Sequence, residues 1–227
     1  MKVAIIECHD QRGEQIQELV NRASPEAKTK IYPIHKEIYP STGYDAYIIS
    51  GGFIRVKYKE KYTYLKKVQE LIKELAELNK PILGICLGQQ LIVDAYGGLV
   101  SEAEELEIGF QEIEITREND LTKGLSKKFY AFNYHWDIIE RIPDGFESYA
   151  KSKLFKNHII KHKNKPVYGI QFHIEYDQEY SKKILEYLKD EIEEEKLNYE
   201  ELIKNTSRYS EETSKKIITN FLNKNLF

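Results

Sequence analysis

Lys80-Pro81-Ile82-Leu83-Gly84-Ile85-Cys86-Leu87-Gly88-Gln89-Gln90 is the stretch whose reading decides the fold. A short apolar run behind a proline reads as a buried strand, and Leu91, Ile92, Ala95 and Tyr96 then recur at helical spacing. The order is strand, sharp turn, helix, with a thiol at the turn. Glycines at 84 and 88 answer a crowding problem: in such an elbow the nucleophile is strained, and side chains beside it would collide with the neighbouring strand and helix. Cys86 at the helix N-terminus feels the positive end of the helix dipole, which favours the thiolate. The Leu87 N–H points where an oxyanion would form. A bare Gly-x-Cys-x-Gly equally suits a buried structural cysteine at an ordinary strand–helix junction. The rest of the chain separates the two readings.

Upstream, Val3–Glu7 reads as a first strand buried on both faces, because its apolar residues are consecutive. An amphipathic helix over Arg12–Arg22, a short strand over Lys30–Ile34 and a third strand over Asp45–Ser50 follow. The third strand is closed by Ser50-Gly51-Gly52-Phe53, glycines at a strand's C-terminal end, where backbone approaches a ligand or simply turns. Tyr62–Asn79 reads as a long helix with Leu65, Val68, Leu71, Ile72, Leu75 and Leu78 on its inward stripe. Gly97-Gly98 stops the elbow helix. Alternating strands and helices argue an α/β fold with a doubly wound, mostly parallel sheet flanked by helices.

Downstream the pattern changes. Ile108–Thr116, Phe129–Phe132, Ile138–Ile142, Phe146–Tyr149 and His158–Lys163 are short or alternating, with a turn at Pro143-Asp144-Gly145, and read as a small antiparallel β segment on the sheet's edge. Pro166–Phe172 is another buried strand, ending in His173-Ile174-Glu175. From about Asp177 the chain reads as helical, with Glu191–Glu195 a solvated acidic face or turn. The expected organisation is one domain over 1–190 and a C-terminal helical extension, 191–227, packed on it.

With 34 Lys and Arg against 37 Asp and Glu, the net charge is −3, which gives no general attraction to nucleic acid or an anionic membrane. Two cysteines make neither a disulfide framework nor a metal cluster and point to a reducing compartment. No pair of candidate ligands has zinc spacing, so no metal is expected. The N-terminal apolar run is too short for a signal peptide and no stretch reaches membrane-spanning length, so a cytoplasmic protein is expected. Cys8 reads as a small buried hydrophobe, and His9, His35, His158 and His162 as surface or structural residues.

A thiol at an elbow, and a histidine after a later buried strand with a carboxylate two residues on, form a Cys86–His173–Glu175 arrangement. The thiolate attacks an acyl carbon. The imidazole takes the thiol proton and later protonates the leaving amine. The carboxylate orients the ring and stabilises its charged form. Residues two apart on an extended chain share a side, so His173 and Glu175 can both face the thiol.

Ser50-Gly51-Gly52, Pro81–Gln90 and Tyr168–Glu175 together resemble the class I (triad) glutamine amidotransferase domain, in order and spacing, across nearly the whole chain. The resemblance implies a flavodoxin-like fold and hydrolysis of the L-glutamine side-chain amide through a γ-glutamyl thioester on Cys86, with no metal or organic cofactor. It implies an oxyanion hole from the Gly52 and Leu87 N–H groups, and a substrate-holding Gln90. Tyr134 and Trp136, flanking His135, fall where the family uses main-chain groups for the amino-acid end of glutamine.

Gly97-Gly98, Glu107-Ile108-Gly109-Phe110 and Tyr134-His135-Trp136-Asp137 are most similar to the GMP synthetase-like stand-alone group, and the long tail to a group that includes γ-glutamyl peptidases. Phe53 and Ile174 replace frequent prolines of the pattern, and Trp136 stands where a small residue is common. The implied partner is an ATP-dependent synthetase subunit that accepts ammonia. The alternatives are a self-sufficient γ-glutamyl hydrolase or peptidase, and a non-enzymatic regulatory protein of the same fold.

Overall fold

The computed structural model describes residues 1–9 and 11–223; the last four residues of the expected extension lie outside this range. Strand β1 (Lys2–Glu7) leads into helix α1 (Arg12–Ala23), β2 (Lys28–Pro33), β3 (Ala46–Ile49), α2 (Thr63–Glu77), β4 (Ile82–Ile85) and α3 (Leu87–Ala95). Then come β5 (Leu99–Ile115), β6 (Lys128–Arg141), β7 (Phe146–Lys151), β8 (Ile159–His162) and β9 (Val167–Ile170). Helices α4 (Gln178–Tyr187), α5 (Lys189–Glu194), α6 (Tyr199–Asn205) and α7 (Glu211–Phe221) complete the described chain.

All nine strands form one sheet in the order β2-β1-β3-β4-β9-β8-β7-β5-β6. The pairings from β2 to β9 are parallel, and those from β9 through β8, β7, β5 and β6 are antiparallel. The antiparallel part therefore continues the main sheet and does not pack on its edge as a separate unit. The segments expected at 108–116, 129–132 and 138–142 merge into two long strands of 17 and 14 residues, because β5 and β6 pair almost end to end, with register shifts near Leu99 and after Glu102.

The consecutive apolar residues of β1 divide between two faces. Val3 and Ile5 pack with Ile16, Leu19 and Val20 of α1 and with Ile217, Ile218 and Phe221 of α7. Ala4 and Ile6 pack with Leu65, Val68, Ile72 and Leu75 of α2 and with Leu91 and Ile92 of α3. Leu78 leaves the expected stripe: α2 ends at Glu77, and Leu78 is 52% exposed. A third core joins Ile108, Phe110 and Phe132 to Ile184, Leu185 and Ile192, so the C-terminal helices share cores with the sheet.

The chain places β2 on one side of β1 and β3 on the other, a reversal that opens a crevice at the strands' C-terminal ends. Ser50–Gly52, Cys86 and the segment after β9 all follow strands at that edge.

Candidate active site

Cys86 sits between β4 and α3 at φ 50°, ψ −106°, a strained conformation for a residue with a Cβ. The flanking glycines permit it through close approach: a Cβ on Gly84 would lie 2.5 Å from the Gly88 carbonyl carbon, and one on Gly88 would lie 2.5 Å from Ile49 O. The turn is held from β9 by the Cys86 N–H donating to Ile170 O at 2.8 Å.

β9 ends at Ile170, so His173 lies beyond the strand and not at its tip as the apolar run suggested. It is fixed instead by its N–H donating to Phe132 O at 2.8 Å, an isolated bridge to β6. His173 Nδ1 is 2.7 Å from Glu175 Oε1, and the imidazole lines the same cleft as the Cys86 thiol. Burial disfavours the charged ring, but Glu175 and Cys86 outweigh it and lift His173 to about 10. A protonated imidazole between a carboxylate and the thiol is the proton store that acyl transfer to sulfur requires. The ring lies against Gly51, whose hypothetical Cβ would be 2.8 Å from His173 Cε1.

The cleft in front of the thiol encloses about 650 Å³ including its mouth, and Cys86, His173, Gly52, Gln90, Tyr134 and Trp136 all line it. Leu87 follows Cys86 as the first residue of α3, so its N–H has no partner within the helix, and its side chain lies 3.1 Å from where a Gly52 Cβ would be. Gln90 Nε2 donates to Asp137 O at 3.1 Å and to Gln171 Oε1 at 3.3 Å, tying β6 to the segment after β9. Tyr134 Oη and Trp136 Nε1 donate to the two oxygens of Glu191 at 2.9 and 2.8 Å. Glu191 is thus half-buried behind two cleft-lining residues, which corrects its expected place on a solvated face; Glu193, Glu194 and Glu195 are exposed as expected.

His135 also contributes to the cleft lining, but its ring is engaged elsewhere: Nε2 meets Glu107 Oε2 at 2.9 Å, and the ring packs on Phe155 and His158. His158 Nε2 is 3.1 Å from the same oxygen, and Ser152 Oγ donates to Glu107 Oε1 at 2.5 Å. Burial raises the Glu107 carboxyl, yet the two histidines overcome that and hold it well below the usual carboxylate range; burial keeps His135 neutral. Among the described residues these three side chains form the one group whose ligand atoms, all within 4.8 Å of one another, could hold a metal ion. Sequence spacing could not reveal it, since β5, β6 and the approach to β8 each supply one member.

Sequence reasoning also missed Arg55, whose guanidinium binds Asp137 and Glu102 at the cleft rim, and Arg12 and Tyr176 in its wall. Cys8 is fully buried as expected, and burial pushes its thiol up to about 12.

Residues 4–192 match the model of the glutamine amidotransferase class-I family. The chain belongs to that family. It is similar to the glutamine-hydrolyzing GMP synthase subunit of Methanocaldococcus jannaschii, with 42% identity over 53% of this chain and 65% of that protein. It is also similar to the corresponding GMP synthase subunit of Thermococcus kodakarensis, with 42% identity over 46% of this chain and 56% of that protein. The chain thus spans between about half and two thirds of these relatives' length. Among solved structures, a glutamine amidotransferase from Thermotoga maritima superposes with a TM-score of 0.85 at 25% identity, over 98% of this chain and 96% of that one. This amidotransferase-family fold carries no described helix long and apolar enough to cross a membrane.

Proposed function

We propose that this class I family member hydrolyses the side-chain amide of L-glutamine and passes the ammonia to a separate ATP-dependent subunit of the GMP synthetase type. The observation that carries the chemistry is Cys86 on a strained elbow beside a buried His173–Glu175 pair. The Cys86 sulfur attacks the amide carbon while Gly52 and Leu87 N–H groups receive the developing oxyanion. His173 gives its proton to the nitrogen, the C–N bond breaks, and ammonia leaves a γ-glutamyl thioester. Water, deprotonated by His173, then cleaves the thioester to glutamate and free thiol. Gln90, Tyr134, His135 and Trp136 form the wall that holds the amino-acid end.

The acceptor is suggested by the relatives named as glutamine-hydrolyzing GMP synthase subunits. A second reading, a self-sufficient γ-glutamyl hydrolase, is favoured by Glu191: the C-terminal helices brace the cleft from within the same chain. The deciding experiment measures glutamate and ammonia release from L-glutamine with the chain alone, with an added ATP-dependent GMP synthetase partner, and with Cys86→Ala. Turnover stimulated by the partner supports the first reading, and full turnover without it the second. Turnover that survives Cys86→Ala refutes both.

A further inference from the structure

Arg12 is the cation of the cleft that no carboxylate neutralises among the described residues. It is 8% exposed and lines the cleft. Its Nη1 donates to Tyr176 Oη at 2.9 Å and Tyr180 Oη at 3.0 Å, which uses both N–H groups of that nitrogen. The guanidinium carbon sits 4.5 Å from the centre of the Phe53 ring. Neutral hydroxyls and a π face hold the group in place without cancelling its charge. The edge formed by Nε and Nη2, the parallel fork that matches two carboxylate oxygens, has no hydrogen-bond partner among the described residues.

The position of Arg12 says which end of a substrate it meets. Tyr176 lies flat on His173, with ring centres 4.4 Å apart and planes 4° from parallel, and its hydroxyl is the one Arg12 holds. His173 is the group that protonates the departing amine. Phe53 packs on Arg12 and, with its ring centre 5.8 Å from that of Tyr134, on Tyr134 as well, whereas Arg12 itself is joined through Tyr176 to the His173 side of the cleft. Glutamine's own leaving group, ammonia, offers nothing for a guanidinium fork to bind.

We propose that Arg12 forms a carboxylate subsite on the leaving-group side, and that the site accepts γ-glutamyl amides whose amine carries a carboxylate, such as γ-glutamyl amino acids. This inference rests on the thioester chemistry proposed above. The Cys86 sulfur bonds to the γ-carbon, the C–N bond breaks, and the His173 proton goes to the nitrogen, so a free amino acid departs. Water then releases glutamate and restores the thiol.

The test compares kcat/KM for γ-L-glutamylglycine and γ-L-glutamylmethylamide, which differ by the carboxylate alone, beside L-glutamine. Wild type should prefer the glycine compound by roughly tenfold or more, as a charge-assisted pair implies. In Arg12→Gln the ratio of the two should fall to about one, and Arg12→Lys should keep part of it as a point charge without the fork. Because the readout is a ratio within one protein, losses from altered packing of Tyr176 cancel. A wild-type ratio near one, or a ratio that Arg12→Gln leaves unchanged, overturns the subsite while leaving the glutaminase reading in place. No turnover of any of the three compounds, with the chain alone or with an ATP-dependent GMP synthetase partner added, overturns the thioester reading and the subsite with it.

Discussion

Trp136 donates its indole N–H to Glu191 Oε1 at 2.8 Å, and through that bond the C-terminal helix α5 reaches the wall of the cleft in front of Cys86. The other oxygen of the same carboxylate takes the Tyr134 hydroxyl, so one side chain sets two adjacent aromatic walls. Glu191→Ala should free both. KM for L-glutamine is expected to rise roughly five- to twentyfold, the size of one to two lost hydrogen bonds, with kcat changed less. Steady-state kinetics check this, and an unchanged KM would show that the brace is not felt by the substrate.

Gly51 supplies a contact test of His173 as the proposed base. Its added Cβ would stand 2.8 Å from His173 Cε1, so in Gly51→Ala the imidazole must move. A displacement of that kind is expected to lower kcat/KM by roughly a hundredfold. Circular dichroism and thermal unfolding should remain close to wild type, since the burden falls on one ring and not on the backbone. Activity within a few fold of wild type would mean the ring has room that the geometry denies.

The raised His173 titration has consequences in both rate and stability. The ring sits at about 10 in the folded protein against an ordinary value of 6.5. Its folded value is the higher one, so its stabilisation is complete below about 6.5 and is lost as pH rises through about 10. The alkaline limb of kcat/KM should fall in the same upper range. In Glu175→Gln that limb should move down towards the ordinary value, with activity lower by roughly a hundredfold or more for want of the orienting carboxylate. An alkaline limb that does not move would remove Glu175 from the role of charge partner.

Glu107 carries a structural prediction. Its side chain is 1% exposed and gathers His135, His158 and Ser152 on one carboxylate. Glu107→Ala leaves these groups buried without it and should cost about 3–5 kcal/mol of stability, read by denaturant unfolding. A loss below about 1 kcal/mol, the worth of an exposed ion pair, would show that solvent or repacking takes its place.

The elbow was legible because its requirements are local: a strand, a turn with glycine two residues to either side of the thiol, and a helix, all within one window. His173 and Glu175 were legible for the same reason, although the run of apolar residues before them overstated the strand, which gives way after Ile170 to a bridge with Phe132. The long β5–β6 ribbon reads in pieces because its apolar pattern is interrupted by register shifts that only pairing explains. Glu191 looks like one member of an acidic run, and nothing in a single stretch of sequence distinguishes the glutamate that turns towards Trp136 from its exposed neighbours. The Glu107 cluster and Arg12 are hidden by distance along the chain: Arg12 and Tyr176 are 164 positions apart.

The burial of Cys8 has an analytical use. The chain carries two thiols, and one of them is fully enclosed and held at about 12, out of reach of reagents that need a thiolate near neutrality. An alkylating electrophile should therefore titrate one equivalent per folded chain, at Cys86. Its stoichiometry would count competent nucleophiles in any preparation directly, without a substrate and without engineering the second cysteine away.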